Sequence, residues 1–350
     1  MDAEAVVQKR NLQIVDDFLR RVGARTSPAA SLEEDTFRMR EGFQDFSIEL
    51  VEKVNPERAL NKLDGKPEHE ISFFCSSIQR TELVGHFFYH GQEIPLHYTI
   101  VGSLILKREH RHFHVWEQPI KREHILAPLA FMDNADQLSS DFGAGLPVTL
   151  RDSGSSDLDY TQLRIAAANS ARALRYECRQ QVLAQWKEAE GSNARDLIVI
   201  NDSLLRLPNK SLDRNMLGIV KSSYVPFRNR ELLTHQLRLE EFQRGRVFRI
   251  ELPEHPDERK YSWFLKLRSS AQAGPEFGLV RVETVADDDE DARRQADEFS
   301  HLMIGERFPV TFPARDWDKL IFPLKLCDQY LNSLVPSRQT VQAYFMHHAD

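Results

Sequence analysis

The chain has no apolar run approaching the roughly 18 residues that a membrane-crossing helix needs, so no segment reads as a transmembrane span. The opening stretch, MDAEAVVQKRNLQIV, is charged and amphipathic and lacks the apolar centre and small-residue cleavage site of a secretory signal. Cysteine is scarce: 3 in 350 residues, an odd number that does not make a disulfide framework and suits free thiols in a reducing compartment. The expectation is therefore a cytoplasmic protein. A basic excess is also missing. Lys and Arg total 46 against 53 Asp and Glu, a net charge of −7, so nucleic-acid binding would have to use a local basic groove on an acidic body.

Several chemical signatures are absent as well. The sequence has no P-loop, no GxGxxG, no CxxC pair, no HExxH and no GxSxG. Those absences set aside the common ATPase, dinucleotide, zinc-finger and metalloprotease readings. What remains is a globular composition, with 41% apolar residues and a length suited to one large domain or two fused ones.

Periodicity divides the chain. Val6, Leu12, Val15, Phe18 and Leu19 recur at helical spacing within residues 3–22, and a second helical pattern runs from Leu32 to Val54. Residues 64–70 read as a turn-rich linker, which separates an N-terminal helical region, 1–65, from a main domain, 66–350. Ile71–Ser76, Leu83–Tyr89 and His97–Leu106 then read as three antiparallel strands, extended by His110–Trp116. A loop-rich stretch covers 117–158. A long helix spans Tyr160–Trp186. Short buried strands follow at Leu197–Ile200 and Leu217–Val220, then a helix at 228–243 and strands at Arg246–Leu252, Tyr261–Leu267 and Phe277–Val282. Helices at 289–303 and 322–334 and a last strand at Val341–His347 close the chain. The acidic run Asp287–Asp291 reads as a solvated loop or a helix N-terminus, where negative charge suits the helix dipole. Three strands, a long helix, two strands and a helix make an α/β mixture. The order agrees with an RNase H-like core and also allows other α/β folds.

Polar residues cluster at the ends of these elements. The strand Leu197–Ile200 ends in Asn201-Asp202-Ser203-Leu204, and the next strand runs into Gly218-Ile219-Val220-Lys221-Ser222. Glu177 lies on the long helix, and Pro323-Leu324-Lys325-Leu326-Cys327-Asp328 opens a late helix. Two further pieces are SWFLKLR at Ser262–Arg268 and GLVRVE at Gly278–Glu283. In this order, over about residues 70–346, they resemble the NurA nuclease family. That family shows two strands ending in Asp-Gly-Ser, a helix Glu between them, a Gly-x-x-Lys-Ser strand, an aromatic strand, a Gly-x-Val-Arg-x-Glu strand and a Pro-Leu helix bearing Asp or His.

The resemblance implies an RNase H-like mixed sheet flanked by helices, with an N-terminal helical extension. It implies a homodimer that processes DNA ends, or degrades foreign DNA, beside a HerA-type hexameric ATPase. Cleavage would use two Mn²⁺ or Mg²⁺ ions held by hard carboxylate oxygens. Glu177, Asp202 and Asp328 would carry the metal, and Lys221 would meet phosphate. The chain departs from the family at two ligand positions: Cys75 stands at the first strand-end Asp, and Asn201 stands at the second. A thiol is a soft ligand, and an amide has no charge. A second reading follows, in which the fold and the partner surface persist as a degenerate DNA-binding or assembly subunit. A third is an unrelated α/β protein. Convergence of at least three carboxylates on one pocket separates the first reading from the second. The alternating His110, His112 and His114 read as an exposed basic strand, though such spacing also suits zinc, and His86 and His90 share the same ambiguity. The N-terminal helices are the expected dimer or partner surface.

Overall fold

The computed structural model describes residues 3–26, 47–52, 58–59, 69–155, 157–191, 195–205, 207, 211–221, 230–252, 255–270, 273–309 and 317–347. Its organising element is a mixed 13-stranded sheet. Three long antiparallel strands form one wing: β4 (Glu70–Tyr89), β5 (Gln92–Glu109) and β6 (His112–Ala127). Beside β4, and parallel to it, runs β8 (Asp196–Ile200), and parallel to β8 runs β9 (Met216–Val220). The other wing is antiparallel: β13 (Leu279–Val285), β12 (His255–Lys266), β11 (Phe248–Leu252) and β2 (Ser47–Leu50). The strand β7 (Val148–Asp152) pairs with the end of β6 in parallel. The two-residue pieces β1 (Arg25–Thr26), β3 (Arg58–Ala59) and β10 (Gln243–Arg244) are attached at the margins.

Helices cover both faces. The crossover from β7 to β8 is α3 (Tyr160–Ala189), capped by the Asp159 carboxylate, which accepts from the Gln162 amide. Its apolar stripe, including Leu174, Cys178, Val182, Leu183 and Trp186, packs on one face of β4, β5 and β8. On the opposite face lie α5 (Asp289–Gly305) and α6 (Phe322–Ser333), which contribute Phe299, Met303, Leu324, Cys327 and Leu331 to the central core. The expected acidic helix start is present: Asp288 caps α5 by accepting from the Asp291 amide. Toward the far end of the long wing, α1 (Ala3–Arg21) buries Leu12, Val15, Phe18 and Leu19 against β4 to β7, together with α2 (Ala135–Asp141) and α7 (Arg338–His347). A short helix, α4 (Arg230–Leu237), packs Leu232 beside Phe248 and Phe264. Among the described residues no helix is long and apolar enough to cross a membrane.

Several expectations need correction. Ile71–Ser76 and Leu83–Tyr89 are not two strands that pair with each other; both belong to the single strand β4. The polar stretch between them stays extended because its side chains find cross-strand partners on β5, as in the hydroxyl pairs Ser77–Ser103 and Thr81–Thr99. Where a helix is expected up to Val54, Ser47–Leu50 forms β2, since its alternating residues pair with β11; 27–46 and 53–57 lie outside the described residues. Most of the expected linker 64–70, and the domain boundary within it, also lie outside them. The stretch 117–158 holds the rest of β6, α2 and β7, and Val341–His347 belongs to α7 rather than a strand.

The α3-covered face contains two buried histidines. His97 is 1% exposed and neither ring nitrogen has a hydrogen-bond partner among the described residues, while His124 bonds Thr149 through Nδ1 at 2.7 Å. Burial, reinforced by neighbouring cations, pushes His97 down to about 3 and His124 down to about 4. Both are neutral when folded, whereas an unfolded histidine binds its proton near pH 6.5. Their contribution is therefore complete above about pH 6.5 and is lost as pH falls. At pH 5, His97 alone is expected to withdraw about 2 kcal/mol. Urea titrations at pH 7 and pH 5 check this: His97→Leu should lose less stability between the two than the wild type does, and equal losses would show that His97 does not titrate on unfolding.

Candidate functional site

The parallel strands β4, β8 and β9 fix where a site can form. From β4 the chain turns toward β5 on one side, and from β8 it continues to β9 on the other, so the sheet order reverses between β4 and β8. Ligands of open α/β sheets bind beyond the carboxyl ends of strands at such a point. At this edge lie Cys75, Ser76, Asn201, Asp202 and Lys221.

Strand alternation separates these residues. Ile198 and Ile200 join the α3-side cluster, while Leu197 and Val199 join the α6-side cluster. The alternation continues past the strand end: Asn201 turns to the α6 side and Asp202 to the α3 side. The parallel register sets Cys75 beside Ile200, and the Asn201 amide donates to the Cys75 carbonyl at 2.9 Å. Cys75 therefore points toward α3, and Ser76 points toward α6. The two positions matched to the family's strand-end acids, Cys75 and Asn201, lie on opposite faces of the sheet.

On the α6 side, Ser76 Oγ donates to Asp328 Oδ1 at 2.5 Å, and Asn201 Nδ2 lies 3.0 Å from Ser76 Oγ and 3.3 Å from Asp328 Oδ1. Asp328 is thus engaged by two neutral donors. On the α3 side, Asp202 Oδ2 lies 2.7 Å from Arg179 Nη1 and 3.4 Å from Arg175 Nη2, and Oδ1 accepts from the Ser203 amide at 2.8 Å. Burial alone would raise the Asp202 carboxyl, but the two guanidiniums outweigh it and hold it below the usual carboxylate range. Burial pushes the neighbouring Cys75 thiol up to about 11, so it is neutral.

Helical geometry explains which α3 residues reach the site. Arg175 and Arg179 are four residues apart and share the inward stripe with Ala171, Cys178 and Val182. Glu177 is two positions from each and projects outward; its side chain is 53% exposed, with Oε2 3.7 Å from Arg122 Nη1. Lys221 follows β9 directly and is half-buried at the same sheet edge.

The four expected site residues are therefore not gathered into one pocket. Asp202 is bound by arginines on one face, Asp328 belongs to a neutral hydrogen-bond set on the other, and Glu177 faces outward. Among the described residues no group of three or more His, Cys, Asp or Glu side chains is placed to hold a metal ion. That includes the histidine hairpin, where His114 Nε2 lies 3.8 Å from Glu109 Oε1. His86 Nε2 instead meets the Tyr160 hydroxyl at 3.1 Å. Mn²⁺ or Mg²⁺ would require Asp202 to leave two guanidiniums beside a neutral thiol, so the residues present do not fit the two-metal site.

The residues that build the loop have roles that the sequence alone does not assign. Glu283, fully buried on β13, accepts from Ser203 Oγ at 2.8 Å and from the Leu204 amide at 2.6 Å, and it pairs with Arg281 at 2.6 Å. Lys260, 1% exposed, donates to the carbonyls of Leu205 and Leu207. The loop crosses directly over β9, where a Cβ on Gly218 would lie 2.8 Å from Leu204 Cγ and 2.9 Å from the Asp202 carbonyl. The matched pieces GLVRVE, NDSL and GIVK are thus one physical unit, with Glu283 tying down the loop that Gly218 makes room for.

A scan against models of protein families finds no match, and a search of curated proteins finds none either.

Glu283→Gln would remove the charge of the carboxylate that accepts from Ser203 Oγ and the Leu204 amide and pairs with Arg281. Losing a hydrogen bond to a charged group costs about 1.5–3 kcal/mol. Chemical denaturation should show that loss, and hydrogen exchange should show faster exchange at the Leu204 amide than in the wild type. An unchanged Leu204 rate would mean that Glu283 does not hold the loop.

Proposed function

We propose that this chain is a NurA-like protein with an RNase H-like fold that binds DNA without cutting it. It acts as a DNA-binding and assembly subunit, as a homodimer, beside a HerA-type hexameric ATPase. The fold supports this reading through its order of antiparallel β4, β5 and β6, crossover helix α3 and parallel β8 and β9, the succession an RNase H-like core calls for. The loop unit of NDSL, GIVK and GLVRVE supports the family reading, because matched pieces distant in sequence meet in space.

One observation carries the choice of binding over cleavage: Asp202 is neutralised by Arg175 and Arg179. A two-metal nuclease needs carboxylate oxygens free to converge on divalent ions. Here fixed guanidiniums supply the positive charge that the metals would bring. With Lys221 at the same edge, the site keeps cations suited to a phosphate backbone and lacks a converging set of metal ligands.

The test incubates linear duplex DNA with Mn²⁺, with and without a HerA-type ATPase, for wild type and Glu177→Ala side by side, and follows binding by gel shift. The expected result is no cleavage by either protein and a shift that weakens steeply as salt rises. Cleavage by wild type that disappears in Glu177→Ala would overturn the proposal in favour of a working nuclease.

A further inference from the structure

Among the described residues Asp202 is the carboxylate that the guanidiniums of Arg175 and Arg179 meet, and Arg179 is 1% exposed. Its Nη1 meets Asp202, yet buried Nε and Nη2 have no hydrogen-bond partner among the described residues. The Tyr176 ring lies under both guanidiniums, at 5.3 Å from Arg175 and 4.8 Å from Arg179, which holds their planes in place. A buried cation with unused donors is costly unless an acceptor is supplied. The way in is through the partly open side chains of Asp202, 27% exposed, and Arg175, 15% exposed, at the reversal point of the sheet.

We infer that Arg175 and Arg179 form an oxyanion seat for a phosphate group, and that the Asp202 carboxylate is the resident anion the phosphate displaces or joins. Guanidinium forks match phosphate oxygens, and a phosphate offers more acceptor oxygens than a carboxylate. This deepens the DNA-binding reading by naming the group the site holds: a phosphodiester of the nucleic-acid backbone. Free phosphate shares that chemistry.

The seat makes an unusual demand on Asp202. If the aspartate were a phosphate-site component or only a structural partner, its loss would weaken binding or leave it unchanged. As a competing anion, its loss should strengthen binding. Thermal melting in sodium phosphate, against sodium chloride of matched ionic strength, reads this directly. Wild type should melt higher in phosphate. Asp202→Asn should respond at about tenfold lower phosphate, the factor for removing one nearby like charge. Arg175→Met, at a partly exposed position, should lose the response. Should Asp202→Asn not fold in chloride, phosphate is expected to restore it, and failure of that rescue counts against the seat. An unchanged response in Arg175→Met, or no gain in Asp202→Asn, overturns the inference.

A second arm separates the two sources. A short oligonucleotide should lower the response to added phosphate by competing for the seat. A phosphate response that the oligonucleotide leaves untouched would overturn the nucleic-acid assignment and mark a free-phosphate site. Failure of the DNA-binding reading itself shows elsewhere, as absence of any gel shift with wild-type protein.

Discussion

The guanidinium of Arg179 cannot be buried alone. It sits on the sheet-facing side of a 30-residue helix with 1% of its surface exposed, and burying an unpaired charge of that kind is prohibitive. Asp202, 2.7 Å away, makes the burial tolerable. That one contact fixes how α3 meets the strand-end loop and which way Asp202 points. It also fixes what the carboxylate can no longer do. An aspartate held by two arginines stays ionised, but its oxygens are committed. Glu283, Lys260 and Gly218 then hold the rest of the loop around it.

The sheet imposes the second constraint. Adjacent strand residues face opposite sides, and parallel pairing of β4 with β8 puts Cys75 on the side of Ile200 and Ser76 on the side of Asn201. The carboxylates thereby fall into separate environments. One face has a charged clamp of arginines and aspartate. The other has a neutral set of serine, asparagine and aspartate against α6. Among the described residues neither presents three acidic side chains to a common point.

Much of this was legible in the sequence, and the rest failed for identifiable reasons. The α3 pattern, the short strands β8 and β9 and the caps of α3 and α5 follow from local periodicity and capping chemistry. The polar run Ser77–Glu82 read as a break because its partners, Thr99 and Ser103, lie about 20 to 30 residues away on β5. Asp202 reads as a strand-end residue, and its arginine partners carry a weaker signal. The signal was present: Arg175 and Arg179 share the helical stripe of buried Ala171, Cys178 and Val182, and Glu177 does not. Glu283 reads as part of a motif, yet its role depends on pairing between β13 and β9, which sets it opposite Gly218 far away along the chain.

Fixed arginine charge at Asp202 is set against the cation that a metal-dependent site would need there. Crystals soaked in Mn²⁺ and measured for anomalous scattering test it most directly. The expected result is no anomalous peak at the Asp202 carboxylate and an Asp202–Arg179 contact that survives the soak. A Mn²⁺ peak on Asp202, with Arg175 and Arg179 swung away, would contradict it.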